Sequence, residues 1–433
     1  MLQEQSTSPS TALFSARELL RCDWSCETFV RGFKTNPRDC LSVANDILIH
    51  RSNISQSLAK RLPFDAASLL YSEDVIRRIN EARARDLQIA IIPDLPAEWC
   101  AAIAAHLGVD IYSSNIVTNN ANASSVDATS PHIFHRSRYG LFRQLLRAIR
   151  VHQWPKNALV FLPILLSHRF HEINLVVASL LAFLAIGFAA STIYVINDLM
   201  DIRSDRQHPS KCSRPFASGA IPARWGFGLI AFTASMAAAI AALLPPVFLL
   251  TMLIYLSLNI VYTTYLKRKL LVDVLALSGS YTLRILAGNA ATGIELSFWL
   301  LAFSIFIFFS LALVKRYVEM DTIGVNQPNE KRVMGRGYRY VDLDMLAQMG
   351  VVSAFSAVLV LALYVERAGA TGLYTFPELI WLICPIVLYV ITRIWFLAKR
   401  GEMKDDPVAF ILRDWRSHLM GTIAATILVA ASW

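Results

Sequence analysis

Beyond residue 155 the chain is a succession of long apolar runs separated by short polar segments. Nine runs fall near 156–172, 174–197, 223–243, 245–266, 271–292, 296–316, 343–365, 376–398 and 415–433. A helix rises about 1.5 Å per residue, so roughly 17 to 24 residues reach across a hydrocarbon core about 30 Å thick. The pattern predicts nine transmembrane helices in an all-α polytopic membrane part. The first 115 residues alternate polar stretches with short apolar ones and hold no run of that length. There, Val75, Ile76 and Ile79 recur at helical spacing against Arg77, Arg78, Arg83 and Arg85, and Leu87 to Ile92 is a β-like run that Pro93 ends. A second helix over Ala97 to Leu107 closes at Gly108, and Val109 to Tyr112 reads as the next strand, which makes the unit βαβ-like. Residues 117–130, VTNNANASSVDATS, are polar and almost uncharged, a linker by composition. The division is thus a small cytoplasmic α/β domain over 1–115, a linker over 116–140, and a membrane domain over 141–433.

Composition agrees. Hydrophobic residues make up 55% of the chain and charged ones 17%, against about 25% charged in soluble domains. The net charge of +9 is concentrated in loops, so no nucleic-acid partner is expected. Loops after the even-numbered runs carry the basic residues, such as Arg203, Arg206, Lys211 and Arg214, or Lys267, Arg268 and Lys269. Loops after the odd-numbered runs carry almost none, and this asymmetry predicts a cytoplasmic N-terminal part. Six scattered Cys without CxxC spacing argue against a disulfide framework or a zinc site. The N-terminus lacks the basic and apolar regions of a cleaved secretion signal.

Candidate chemistry begins where the second run meets the cytoplasm, at Asn197, Asp198, Asp201 and Asp205, followed by Arg206, Lys211 and Arg214. Acids three and four residues apart share one helix face, and like charges so placed call for a cation. Oxygen-only ligands suit Mg²⁺, which keeps waters and is shared with substrate phosphates. The bases beyond them are candidates for phosphate oxygens. The competing reading is a solvated loop whose charges balance. A second group comprises Tyr262, Lys267 and Arg284; Arg284 lies inside an apolar run, where an ionisable side chain marks a functional cavity or a structural ion pair. A third, Lys315, Arg316 and Glu319, ends the sixth run, and Lys331, Arg332, Arg336 and Tyr338 beyond it have the makings of a lid or of a plain basic loop. Arg143, Arg147 and Arg150 form an amphipathic helix suited to an anionic leaflet, ahead of Trp154 and Lys156 at the interface.

The motifs N-D-x-x-D-x-x-x-D at 197–205 and Y-x-x-x-x-K at 262–267 resemble those of the UbiA superfamily of intramembrane prenyltransferases. The words Gln153-Trp-Pro-Lys156-Asn157, Leu283-Arg284 to Ala287-Gly288 and Lys315-Arg316-Tyr317-Val-Glu319 are similar to its decaprenyl-phosphate phosphoribosyltransferase branch. That resemblance implies attack of a polyprenyl phosphate on C1 of phosphoribosyl pyrophosphate, with Mg²⁺ as cofactor. It places the metal on Asp198, Asp201 and Asp205, catalysis on Asp198, Asp201, Lys267 and Arg284, and substrate binding on Asn197, Lys156, Arg206, Lys211, Arg214, Tyr262, Lys315, Arg316 and Glu319. By analogy it also implies a role in supplying an arabinose donor for a surface or secreted glycolipid, rhizobial nodulation factors being one setting.

Residues 63–112 resemble a haloacid-dehalogenase-like domain, degenerate because Leu13 to Glu18 replaces the D-x-D-G-T loop. Two alternatives stay open: transfer of a prenyl chain from a diphosphate to an aromatic or other small acceptor, and a transporter. The acids lie at a membrane face and no inverted repeat is visible, both of which disfavour the transporter.

Overall fold

The computed structural model describes residues 11–50, 54–62, 64–112, 138–208, 211–295, 297–326, 337–370, 374–403, 406–411 and 413–432. In chain order the elements are β1 (Thr11–Ser15), α1 (Trp24–Thr35), α2 (Pro37–His50), α3 (Ile54–Arg61), α4 (Glu73–Ala84), β2 (Gln88–Ile92), α5 (Ala97–Leu107), β3 (Asp110–Ile111) and α6 (Arg138–Ala148). A 3-10 helix (Val151–Phe161), α7 (Leu162–Leu166), α8 (Ile173–Met200), α9 (Ile202–Gln207), α10 (Ala223–Ala241), α11 (Pro246–Thr264) and α12 (Val272–Thr292) follow. The chain continues through α13 (Phe298–Asn326), α14 (Leu343–Ala370), α15 (Ile383–Lys399), α16 (Pro407–Ile411) and α17 (Trp415–Ser432). The linker expected over 116–140 falls almost wholly outside the described residues.

The chain forms two compact units, one of residues 1–149 with 194–231 and one of 150–193 with 232–433. The first contains the α/β segment, a parallel sheet in the order β1-β2-β3 with Thr11 opposite Gln88 and Ala90 opposite Asp110. The β2-α5-β3 crossover follows the expected pattern, and Gly108 ends α5 at φ +63°, a left-handed conformation that glycine adopts without penalty. Phe14, Ile79, Ile91 and Ile103 are buried around the sheet. A second core in the same unit joins Val30 of α1 to Ala148, Val195, Leu199, Ile202, Phe216 and Ile221. Residues 194–231, read from sequence as membrane part, thus share a hydrophobic core with the N-terminal segment.

The second unit is helical. Its largest core gathers Val274, Ile285, Leu313, Val314, Met320, Leu346 and Ile394 from α12 to α15. Ser310 donates to the Gly350 carbonyl and accepts from Trp395 Nε1, tying α13, α14 and α15 together.

Six helical stretches among the described residues are long and apolar enough to cross a membrane: Ile173–Met200, Ala223–Ala241, Pro246–Thr264, Phe298–Thr322, Tyr340–Glu366 and Pro377–Lys399. The remaining three expected runs differ from these. The run 156–172 is a 3-10 helix followed by the five-residue α7 instead of one long helix, because Pro155 and Pro163 each remove a backbone donor. Helix α12 contains Asp273 and Arg284, and α17 begins with Arg416 and His418 in its first turn.

Candidate functional site

In the first unit, α8 ends at Met200 and α9 begins at Ile202, yet helical hydrogen bonding bridges the joint: Asp201 N donates to the Asn197 carbonyl at 2.9 Å, and Asp205 N to the Asp201 carbonyl at 2.8 Å. The seven-residue spacing of Asp198 and Asp205 therefore keeps its geometric meaning, whereas the expected convergence of Asp201 with them fails. Asp198 and Asp205, 2% and 3% exposed, converge on Arg214, whose Nη1 donates to Asp198 Oδ1 at 3.1 Å and Asp205 Oδ2 at 2.7 Å. Arg214 is delivered by a tight turn in which its amide donates to the Lys211 carbonyl. Asp201 points elsewhere, its Oδ1 accepting from Lys34 of α1 at 2.8 Å. Arg206 is engaged at all three nitrogens: Nη1 and Nη2 grip the Glu27 carboxylate at 2.9 and 2.8 Å, Nη1 also reaches the Ser68 carbonyl, and Nε reaches the Ala217 carbonyl. Its expected place on substrate phosphate is thus filled by protein acceptors. Asn197 is half-buried and Lys211 exposed.

Among the described residues no three His, Cys, Asp or Glu side chains close on one point to hold a metal ion. Two do: Asp198 and Asp205 present oxygens to a common position about 3 Å from each, and at that position stands a guanidinium nitrogen. Buried carboxylates facing each other require a cation there. This oxygen-only pair fits a hard divalent ion of the Mg²⁺ type in place of Arg214, with Asp201 one turn away.

In the second unit Arg284 lies on α12, 5% exposed. Its Nε donates to Asn157 Oδ1 at 2.8 Å, Nη1 to the Ser280 carbonyl at 2.7 Å and Nη2 to the Tyr255 hydroxyl at 3.0 Å, all neutral acceptors. The guanidinium lies 5.1 Å from the ring centres of both Tyr255 and Tyr281. Gly288, one turn on, lets α12 press against the 3-10 helix that carries Asn157, since a Cβ there would stand 2.1 Å from the Val160 carbonyl oxygen. Beside Asn157, the Lys156 ammonium meets Asp406 Oδ2 at 3.2 Å, and Lys315 of α13 meets the same oxygen at 2.8 Å. Burial pushes the Asp406 carboxyl up, but the two ammoniums outweigh it and hold the group well below the usual carboxylate range. Lys156 and Lys315 together oppose one carboxylate, and Arg284 is close enough to act electrostatically on Lys156. Two ammonium groups on one carboxylate oxygen form a cationic pair that would also suit a bound anion.

Other expected residues are structural neighbours. Arg316 and Asp273 are both fully buried and in contact at 2.6 Å. Arg316 also pairs with Glu319, and Tyr338 donates its hydroxyl proton to Asp273. Tyr338, read as part of a lid, is 1% exposed and joins α12 to α13; Lys331, Arg332 and Arg336 lie outside the described residues. Tyr262 and Lys267 are half-buried on α11 and the short 3-10 turn after it. Sequence reasoning missed Glu27, Lys34 and Asp406, which touch candidate residues from distant parts of the chain. No signal in the sequence set Asp406 apart from Glu402, Asp405 and Asp414 in the same loop.

These features define an integral membrane protein with charged side chains buried among its helices. It belongs to the UbiA prenyltransferase family, which residues 159–415 match, and is a transferase. It is 35% identical over 289 residues to the uncharacterized protein y4nM of Sinorhizobium fredii, an overlap of 66% of this chain and 55% of that one, so it spans about half that relative's length. The nodulation protein NoeC of Azorhizobium caulinodans is 33% identical over 64% of this chain and 89% of its own. The decaprenyl-phosphate phosphoribosyltransferase of Mycobacterium tuberculosis is 28% identical over 62% and 88%. A UbiA homolog from Archaeoglobus fulgidus, solved bound to DMAPP and Mg²⁺, covers 66% of this chain and 98% of its own at 16% identity and a TM-score of 0.50, which supports the fold.

Proposed function

We propose that the protein transfers 5-phosphoribose from phosphoribosyl pyrophosphate to a polyprenyl phosphate. The observation that carries the reading is the pair of ammonium groups, Lys156 and Lys315, on Asp406, suited to phosphate groups, taken with the relatives named as decaprenyl-phosphate phosphoribosyltransferases. An oxygen of the lipid phosphate attacks C1 of the ribose, the C1–O bond to pyrophosphate breaks, and the leaving group departs with the bonding pair. The acceptor is already ionised at neutral pH, so no protein nucleophile is required. Asp198 and Asp205, with Asp201, would hold Mg²⁺, which supplies charge stabilisation to the leaving pyrophosphate. Lys156, Lys315, Lys267 and Tyr262 would bind and orient phosphate oxygens, and Arg284, whose three nitrogens are engaged by Asn157, Ser280 and Tyr255, would lend them its positive charge. Arg214 and Lys211 serve the same end beside the acids, while Arg316, paired with Glu319, ties α13 to Asp273 of α12.

The same reading takes the chain to cross a bacterial inner membrane nine times with its N-terminal part cytoplasmic. It takes residues 1–115 to be a degenerate haloacid-dehalogenase-like domain, and the product to feed an arabinose donor for a surface or secreted glycolipid such as a nodulation factor. A second reading, transfer of a prenyl chain from a diphosphate to a small acceptor, draws on the family match. The deciding experiment incubates membranes containing the protein with radiolabelled phosphoribosyl pyrophosphate, Mg²⁺ and polyprenyl phosphate. Label in the organic phase supports the first reading. Prenylation of an aromatic acid without such label replaces it with the second.

A further inference from the structure

Helix α1 presents Glu27, Val30, Arg31 and Lys34 at spacings of three, four and seven, which is one helix face. Each of the four meets the acidic turn or the segment that supports it. The Glu27 carboxylate receives two parallel hydrogen bonds from Arg206 of α9, at 2.8 and 2.9 Å, with both side chains only 12% exposed. Val30 is buried with Leu199 and Ile202, on either side of the joint between α8 and α9. Arg31 reaches Asp65 at 3.3 Å, and Arg203 of α9 reaches the same carboxylate oxygen at 2.7 Å. Lys34 meets Asp201 at 2.8 Å and the Met200 carbonyl at 3.4 Å. Contacts from α1 and from Asp65 thus hold α9 on both sides of its joint with α8.

We propose that α1 is a splint for the acidic turn, with Glu27 a positioning residue that acts through Arg206 to keep Asp205 aimed at the point it shares with Asp198. The inference rests on the proposed function only in taking Asp198 and Asp205 to be part of the transfer site. Of the two charged pairs, Glu27–Arg206 dominates, because it is bidentate and shielded, whereas Lys34–Asp201 is half-exposed and screened by water. The N-terminal segment is on this account a working part of the transferase, and its removal would take Glu27 from Arg206, Lys34 from Asp201 and Val30 from the apolar surface around Leu199.

The test uses the full chain in membranes and in detergent, with Glu27→Gln, Glu27→Asp and the swap Glu27→Arg with Arg206→Glu. Amide hydrogen exchange is read for residues 198–207, whose Asp201 and Asp205 amides are bonded across the joint, and for residues 298–318 of α13 as an internal control. In Glu27→Gln, exchange at 198–207 should rise at least about tenfold, the scale set by losing a charge-assisted bond, while α13 stays as in the wild type. The kcat of transfer should fall by about the same factor with KM for the lipid acceptor unchanged, and both the swap and Glu27→Asp should recover most of the loss. Unchanged exchange at 198–207, or equal change in α13, overturns the proposal. Failure of Glu27→Asp to recover either readout does so too. Exchange is independent of the reaction, so a wild-type protein that consumes a prenyl diphosphate instead defeats the functional reading and leaves the splint to be judged on exchange, with kcat measured on that donor.

Discussion

Arg214 Nη1 stands between two buried carboxylates, 2.7 Å from Asp205 Oδ2 and 3.1 Å from Asp198 Oδ1. The acids lie seven residues apart on consecutive helices, and the base that joins them arrives from a later turn. One guanidinium nitrogen thus occupies the point between the two acids, and the Mg²⁺ proposed above would have to compete with Arg214 for the same oxygens.

Replacing Arg214 by Gln should therefore expose the competition. Breaking a buried charge pair costs about 3 to 5 kcal/mol, so the melting temperature in chelator should fall, and millimolar Mg²⁺ should restore more of it than in the wild type. In Asp198→Asn the Mg²⁺ response should vanish and transfer should drop at least about tenfold, with membrane insertion intact. A Mg²⁺-induced thermal shift that survives in Asp198→Asn with Asp205→Asn would place the metal elsewhere.

Arg284→Leu should lower transfer at least about tenfold, or about 1.4 kcal/mol, since each charge-assisted hydrogen bond is worth about 1.5 to 3 kcal/mol. Arg284→Lys should not rescue it. An ammonium on a single stem cannot reproduce the planar fork that reaches Asn157, Ser280 and Tyr255 at once. Initial rates of the two variants at saturating donor decide the point.

Asp406 predicts a pH effect on stability. Its carboxyl sits below the ordinary range in the folded chain because Lys315 and Lys156 outweigh its burial. A depressed folded value means the stabilisation is fully present above the unfolded pKa of about 3.9 and is lost as pH falls through the folded value. Melting curves in detergent between about pH 7 and pH 3 should thus decline less steeply in Asp406→Asn than in the wild type, from a lower starting point. Parallel curves would mean that the pair contributes nothing.

Gly288→Ala should destabilise by about 1 to 3 kcal/mol through overpacking, because the added methyl meets the Val160 carbonyl oxygen at 2.1 Å. The backbone shift required would move Asn157 away from Arg284, so transfer should fall along with the melting temperature. A variant that melts like the wild type would show that the two elements have room to part.

Much of the helical architecture was written in the chain's hydrophobic pattern. Period and run length place α8, α10, α11, α13, α14 and α15, since an apolar stretch that long can satisfy its backbone only as a helix once water is excluded. Local stops such as Gly108 fixed helix ends, and the approach of Asp198 to Asp205 was legible because helical hydrogen bonds bridge the joint between α8 and α9, whereas Asp201 turns to Lys34.

What the sequence could not convey was partnership. Glu27 and Arg206 are 179 residues apart, and Lys315 and Asp406 are 91 apart; nothing local distinguishes such acids and bases from solvated ones. Only tertiary packing decides which charge is buried against which, because the cost of leaving a charge unpaired arises when the fold removes its water. For the same reason the run at 194–231 reads as part of a membrane protein, while its apolar residues are buried against Val30 of α1.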